Sequence, residues 1–382
     1  MVTKRARLWL SRGLASTVFL VAALLFGATW YYSGEIEQAV FASRSPEPTL
    51  DVVILDVSGD QISLPTDART GKPGRWGLLL PAGYAEIGTV TQSAAGVVSR
   101  QLSATAGIVA SGQRGGWDRM AFPDPDSRGI GYREVLIDGP LGPLPAWLTE
   151  GGGSTWVVFV HGSGADRREA IRALPVAVNL GLPTLTITYR NDDGAPASSS
   201  GRHGYGRNEW ADLDAAVEFA IAEGARAVIL VGYGTGGSIV AVFMGHSSYI
   251  DAIAGLVFDS PVLDAELLVD RLAAEAKVPG FIVGWSRAMT SFRFGVEWSA
   301  LDHITAAAEI AVPVLVFHGA DDLDSPISAS EAYVDAVEGP GTLIAVDGAG
   351  HGESWNLDPE SYETALSEFL EAASTPPAED DA

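Results

Sequence analysis

The sequence predicts an α/β protein: a mostly parallel sheet with helices on both faces, preceded by one transmembrane helix and a small β-rich region. Three observations carry this. From Gly13 to Tyr32 the chain has no formal charge, close to the roughly 20 residues that cross a hydrocarbon core as a helix. From Thr155 onward, short continuously apolar runs (WVVFV, PTLTITY, AVILVG, GLVFDS, VPVLVFHG, TLIAV) alternate with helical segments such as Glu209 to Glu223 and Ser328 to Val337. Unbroken apolar runs are strands buried on both faces, and strands separated by helices specify right-handed crossovers and parallel pairing. Between the two, from Leu50 to Ile137, strand-like stretches are short and punctuated by Gly and Pro.

Taken in order, residues 1–12 form a basic tail with four cations (Lys4, Arg5, Arg7, Arg12) and no acid. Residues 13–32 are the transmembrane helix, closed by the Trp30-Tyr31-Tyr32 belt. Cations before the span and Glu35, Glu37 and Glu47 after it place the N-terminus in the cytoplasm and the body outside the cell membrane. A cleaved signal peptide is the rival reading, although Gly27-Ala28-Thr29 and Val40-Phe41-Ala42 are poor small-x-small sites. Residues 33–49 read as a juxtamembrane linker ending in Pro46-Glu47-Pro48.

Residues 50–140 read as the β-rich region. Two extended stretches lie about Ser58-Gly59-Asp60, and Trp76 to Leu80, Val97 to Leu102 and Arg133 to Ile137 are further strands. The Gly- and Pro-rich stretch between them holds Asp124 and Asp126, which fit a solvated turn better than a calcium site. Residues 141–372 are the α/β domain, with a helical insertion over the sheet's carboxyl edge at about 262–304. Residues 373–382 are an acidic, disordered tail.

Composition narrows the chemistry. A formal charge of -24 repels a phosphate backbone, so nucleic acid is excluded as a partner. With Cys 0, disulfides, thiolate catalysis and cysteine-based metal sites are excluded as well. No acid or histidine cluster at metal-ligand spacing stands out, and no cofactor is expected.

In an open parallel sheet the reacting groups gather at the strands' carboxyl ends. Four strand ends carry motifs: His161-Gly162-Ser163-Gly164, Gly232-Tyr233-Gly234-Thr235-Gly236-Gly237, His318-Gly319-Ala320-Asp321-Asp322 and Gly348-Ala349-Gly350-His351-Gly352. Their order and context, with Thr188 to Asp192 (TYRND) and the Glu209-Trp210 helix start, resemble the α/β-hydrolase superfamily over about Leu141 to Leu370. The nearest likeness is to membrane-anchored or secreted bacterial esterases and serine aminopeptidases.

That resemblance implies roles. Gly232 and Gly236 flank a nucleophile elbow, G-x-S-x-G, whose serine position is occupied by Gly234. His351 matches the general base, and Asp322 the acid that orients it, with Asp321 as the register rival. The backbone N–H groups of Ser163 and Thr235 match the oxyanion donors. His161 and His318 match structural histidines. Thr235 and Ser238 point away from His351, and Ser163 Oγ is directed away from it, so none is expected to replace the missing hydroxyl.

The leading functional expectation is a catalytically degenerate, membrane-anchored hydrolase fold that still binds a small ester-, amide- or acid-like ligand. One alternative is an active hydrolase in which His351 and Asp322 activate water or a replacement hydroxyl. The other is a membrane-proximal interaction protein whose β-rich region docks a protein partner.

Overall fold

A computed structural model describes residues 4–42 and 49–375 of the chain. The Pro46-Glu47-Pro48 turn and the acidic tail from 376 onward lie outside the described residues.

Helix α1 (Lys4–Ile36) passes directly into a π-helical turn, Glu37–Phe41. It contains the one helix long and apolar enough to cross a membrane among the described residues. The stretch read as a linker from residue 33 is therefore helical through Phe41. It is also packed: Val40 and Phe41 are buried, and Ala42 makes a bridge to Arg202. The polar letters of Glu35, Glu37 and Gln38 conceal an apolar set, Ile36, Ala39, Val40 and Phe41, that joins a hydrophobic cluster of the body.

The β-rich region is an antiparallel sheet. Its strands are β1 (Val52–Val53), β2 (Asp56–Ser58), β3 (Gln61–Pro65), β4 (Trp76–Leu80), β5 (Gly83–Ala94), β6 (Val97–Ala106) and β7 (Arg114–Asp118), in the order β1-β7-β4-β5-β6-β3-β2. Alternating inward residues (Ile62, Leu64, Leu78, Leu80, Ala85, Ile87, Val98) supply its own small core. Asp124 does not bind within a ligand cluster; its carboxylate caps the short turn at Pro125–Arg128 by accepting from Ser127 N.

The second sheet starts earlier than the sequence reading put it. Strands β8 (Arg133–Gly139) and β9 (Gly142–Thr149) form a hairpin, and that hairpin is its antiparallel edge. The parallel part follows: β10 (Thr155–Val160), α2 (Leu174–Asn179), β11 (Thr184–Ile187), α3 (Trp210–Ala222), β12 (Ala227–Tyr233), α4 (Thr235–His246) and β13 (Ile253–Asp259). After β13 come the insertion helices α5 (Ala265–Glu275) and α6 (Gly280–Phe294), then β14 (Val314–Gly319), α7 (Ile327–Ala336), β15 (Gly341–Val346), α8 (Ser354–Leu357) and α9 (Pro359–Ser374). The sheet order is β15-β14-β13-β12-β10-β11-β9-β8.

Strand β10 shows why the apolar runs do not alternate. All six of its residues are buried; Trp156, Val158 and Val160 join the core under α3, α4 and α7, while Val157 and Phe159 join the opposite core under α2 and α9. The chain thus places the carboxyl ends of β10, β12, β14 and β15 along one edge of the sheet, with β13 between β12 and β14, which positions the site.

Candidate active site

The turn between β12 and α4 is built on glycine. Gly234 has φ 49° and ψ −116°, a conformation an L side chain adopts only under strain. Its N–H donates to Asp259 O at 2.9 Å, and its carbonyl accepts from Val262 N at 3.0 Å, so the turn is locked to the end of β13. At Gly236 a Cβ would lie 2.2 Å from Val160 O, so α4 reaches the sheet this closely only without a side chain. This is the geometry of a sharp elbow with its apex at Gly234.

Above the apex stands His351. An ideal Cβ on Gly234 would lie 3.1 Å from His351 Nε2. The other ring nitrogen, Nδ1, is 2.9 Å from Asp322 Oδ2. Asp322 Oδ1 accepts from the N–H groups of Asp324 and Ser325, each at 2.8 Å, and His318 Nε2 approaches Oδ2 at 3.3 Å. Asp322, not Asp321, is thus the acid that meets the histidine; Asp321 is exposed, its N–H bound to Ala349 O. His318 is itself fixed by Ser330 Oγ at 2.8 Å and Ser325 O at 3.0 Å, so it acts on the site through Asp322.

The electrostatics follow from this packing. Burial pushes the Asp322 carboxyl up, but the hydrogen bonds from His318, His351 and Ser325 outweigh it and hold its pKa well below the carboxylate range. Burial pulls the His351 imidazole down, and the hydrogen bond and charge of Asp322 override that, so its pKa lies above the ordinary histidine value.

The oxyanion side differs from the sequence expectation. Thr235 N–H lies in the first turn of α4, where a helix offers no acceptor of its own. Ser163 N–H, expected as the second open donor, already donates to Thr235 Oγ1 at 2.6 Å. The physical reason is local: the threonine hydroxyl next to the apex is short enough to turn back onto the β10 loop. Ser238 is buried and donates its hydroxyl to Val262 O. Both hydroxyls on α4 are therefore engaged away from His351.

Two features were not found from sequence. Glu169, buried in the 3₁₀ turn Arg167–Arg172, accepts from Gly162 N–H at 2.9 Å and from Arg119 Nη1 at 2.9 Å, with Arg172 at 3.8 Å. Burial raises its carboxyl, and the charges of Arg119 and Arg172 more than reverse that. On the other side of the same loop His161 Nε2 meets Asp192 Oδ2 at 2.8 Å; burial opposes its charge, yet Asp192 pushes it up to about 9. The loop bearing Ser163 is thus clamped from two sides.

The β-rich sheet is docked on the loop that carries His351. Asn356 Nδ2 donates to Arg75 O and Arg119 O, each at 2.8 Å. Lys72 pairs with Glu353 at 2.5 Å. This face of the β-rich sheet is used within the chain.

Sequence comparison places these elements. A profile described as "Alpha/beta hydrolase family" matches residues 157–365, and one described as "Domain of unknown function (DUF8805)" matches residues 53–118. The uncharacterized protein YqkD of Bacillus subtilis is 22% identical over 218 residues, 56% of this chain and 70% of that protein. The Pyrococcus furiosus esterase Pf2001 superposes in one crystal form with a TM-score of 0.52 at 19% identity, covering 66% of this chain and 95% of the esterase. In a second form the values are 0.53, 18%, 66% and 97%. At these identities the structural likeness is one of fold. The family profile spans more than half of the sequence, and this chain belongs to the alpha/beta hydrolase family.

Proposed function

We propose that this protein is an esterase-type hydrolase scaffold without turnover, held at a membrane by α1, whose pocket binds a small ester-, amide- or acid-like ligand. One observation carries the reading: the Cβ position of Gly234 faces His351 Nε2 at 3.1 Å, while His351 and Asp322 keep the geometry of a working base and its orienting acid. The base and its orienting acid are in place, and the apex has no side chain to attack with. Removing such a serine costs about 10⁶-fold in rate, roughly 8 kcal/mol of barrier. Occupation of the Ser163 N–H by Thr235 weakens the oxyanion site as well.

A second reading, favoured by the direction of Nε2, is that His351 activates a water held over Gly234. The two separate cleanly. Titration calorimetry with short-chain carboxylates, the products of ester cleavage, and hydrolysis of activated short-chain esters are run on the parent and on His351→Ala. Binding with no ester turnover above background is the expected result. Turnover by the parent that disappears in His351→Ala overturns it in favour of water activation.

A further inference from the structure

Helix α6 is apolar on its outward face, and its inward face mixes Ile282 and Val283 with two polar residues. Phe281, Trp285, Ala288 and Phe292 recur at helical spacing on one face and are exposed, Phe292 to 84%. The polar residues point inward: Ser286 and Thr290 are buried, Thr290 Oγ1 donating to Ser286 O at 2.8 Å. Its two cations are turned aside, Arg287 to Glu266 Oε2 at 2.7 Å and Arg293 to Trp30 O at 2.7 Å. The outward face between them is left without a charged residue.

What covers this face follows from its neighbour. Helix α6 lies along the last turns of α1 in the opposite direction: Arg293 stacks over the Trp30 ring at 4.0 Å and bonds Ser33, whereas Val283 shares a cluster with Val40 and Phe41. Phe292 therefore stands at the height of Trp30, Tyr31 and Ser33, where an uncharged span beginning after Arg12 leaves the hydrocarbon core. Phe26, Trp30 and Tyr31 on α1 are themselves exposed, so both helices present apolar side chains outward at this level. Trp285 lies two turns, about 10 Å, further out, toward the headgroup layer.

We propose that α6 is a second membrane contact: its Phe292 end enters the outer interface of the bilayer that α1 crosses, and its aromatic face seats the insertion on the lipid surface. The proposal rests on the reading that α1 spans a membrane. It makes the insertion part of the membrane-bound surface and links it to the elbow, through the cluster in which Val40 and Phe41 of the π-helical turn pack with Val262, whose N–H bonds Gly234 O.

The absence of cysteine makes the test direct. Nitroxide labels are placed one at a time at Val21→Cys in α1, Trp285→Cys and Phe292→Cys in α6, and Ile108→Cys in the β-rich region, in the full chain reconstituted in phosphatidylcholine nanodiscs. Collisions with oxygen, which concentrates in lipid, are compared with collisions with a water-soluble nickel chelate. The expected order of lipid exposure is Val21, Phe292, Trp285, Ile108, with the nickel accessibility of Phe292 several-fold below that of Ile108. A lipid signal at Val21 with Phe292 as water-exposed as Ile108 overturns the α6 contact and leaves the α1 reading standing. Water exposure at Val21 overturns both. A Phe292 label shielded from both reagents and broadened by a second spin assigns the face to another copy of the chain and overturns the proposal.

Discussion

On the proposed reading, replacing Gly234 by serine adds a hydroxyl beside the His351–Asp322 pair, and the structure sets how much activity should follow. The new Cβ lies 3.1 Å from His351 Nε2, a few tenths of an ångström too close, so the ring must retreat slightly. Holding a side chain at φ 49°, ψ −116° costs about 1–3 kcal/mol. For a domain of this size that lowers Tm by about 2–12 °C. A serine nucleophile is worth about 10⁶-fold. Here one oxyanion donor, Ser163 N–H, is taken by Thr235 Oγ1, and one donor is worth about 10² to 10³. Gly234→Ser should therefore hydrolyse activated short-chain esters about 10³- to 10⁴-fold faster than the parent, through a covalent acyl-enzyme. Adding Thr235→Ala releases the Ser163 N–H, while Glu169 and Asp192 still clamp the loop, and should raise the rate about 100-fold more. Stopped-flow burst amplitudes and steady-state rates on the parent and both variants measure this. A folded Gly234→Ser protein without turnover, or a double variant no faster than the single one, refutes the reasoning.

Two further outcomes follow from the same contacts. His351 has its pKa raised by Asp322, so the stability it supplies is complete below the unfolded value near 6.5 and fades as pH rises through the folded one. Urea unfolding should show His351→Asn losing more stability at pH 6 than at pH 9, and an equal loss at both contradicts the assigned pairing. Glu169→Ala leaves Arg119 and the Gly162 N–H without their acceptor and buried Arg172 without its nearby counter-charge, which costs about 3–5 kcal/mol. Thermal unfolding should fall by about 6–20 °C, whereas Glu134→Ala, from an exposed pair with Arg167, should change little.

The site was legible in sequence because parallel strands deliver their carboxyl ends to one edge. A motif after each apolar run is then a spatial statement, and Asp322 and His351 meet although 29 residues apart. What sequence could not convey is what arrives from elsewhere in the chain. Arg119 closes the β-rich sheet and bonds Glu169 from 50 residues away, with nothing local to mark the pair. The Thr235 hydroxyl accepts from Ser163 N–H, a contact that depends on the distance between two loops and leaves no local mark in sequence. The hairpin β8 and β9 reads like its neighbours in the β-rich region, and only its pairing with β11 assigns it to the larger sheet. Residues 33–42 looked like a linker because their charges mask Ile36, Val40 and Phe41, whose value appears only when the insertion packs against them.

The central proposal is that the His351–Asp322 pair stands over an elbow that has no nucleophile at Gly234. Its most direct test is intact mass spectrometry after exposure to a serine-directed phosphonate, on the parent and on Gly234→Ser. The account predicts an unmodified parent and a single adduct, mapped to residue 234, in the variant. Stoichiometric labelling of Ser163, Thr235 or Ser238 in the parent, or a folded variant that takes up no phosphonate, contradicts it.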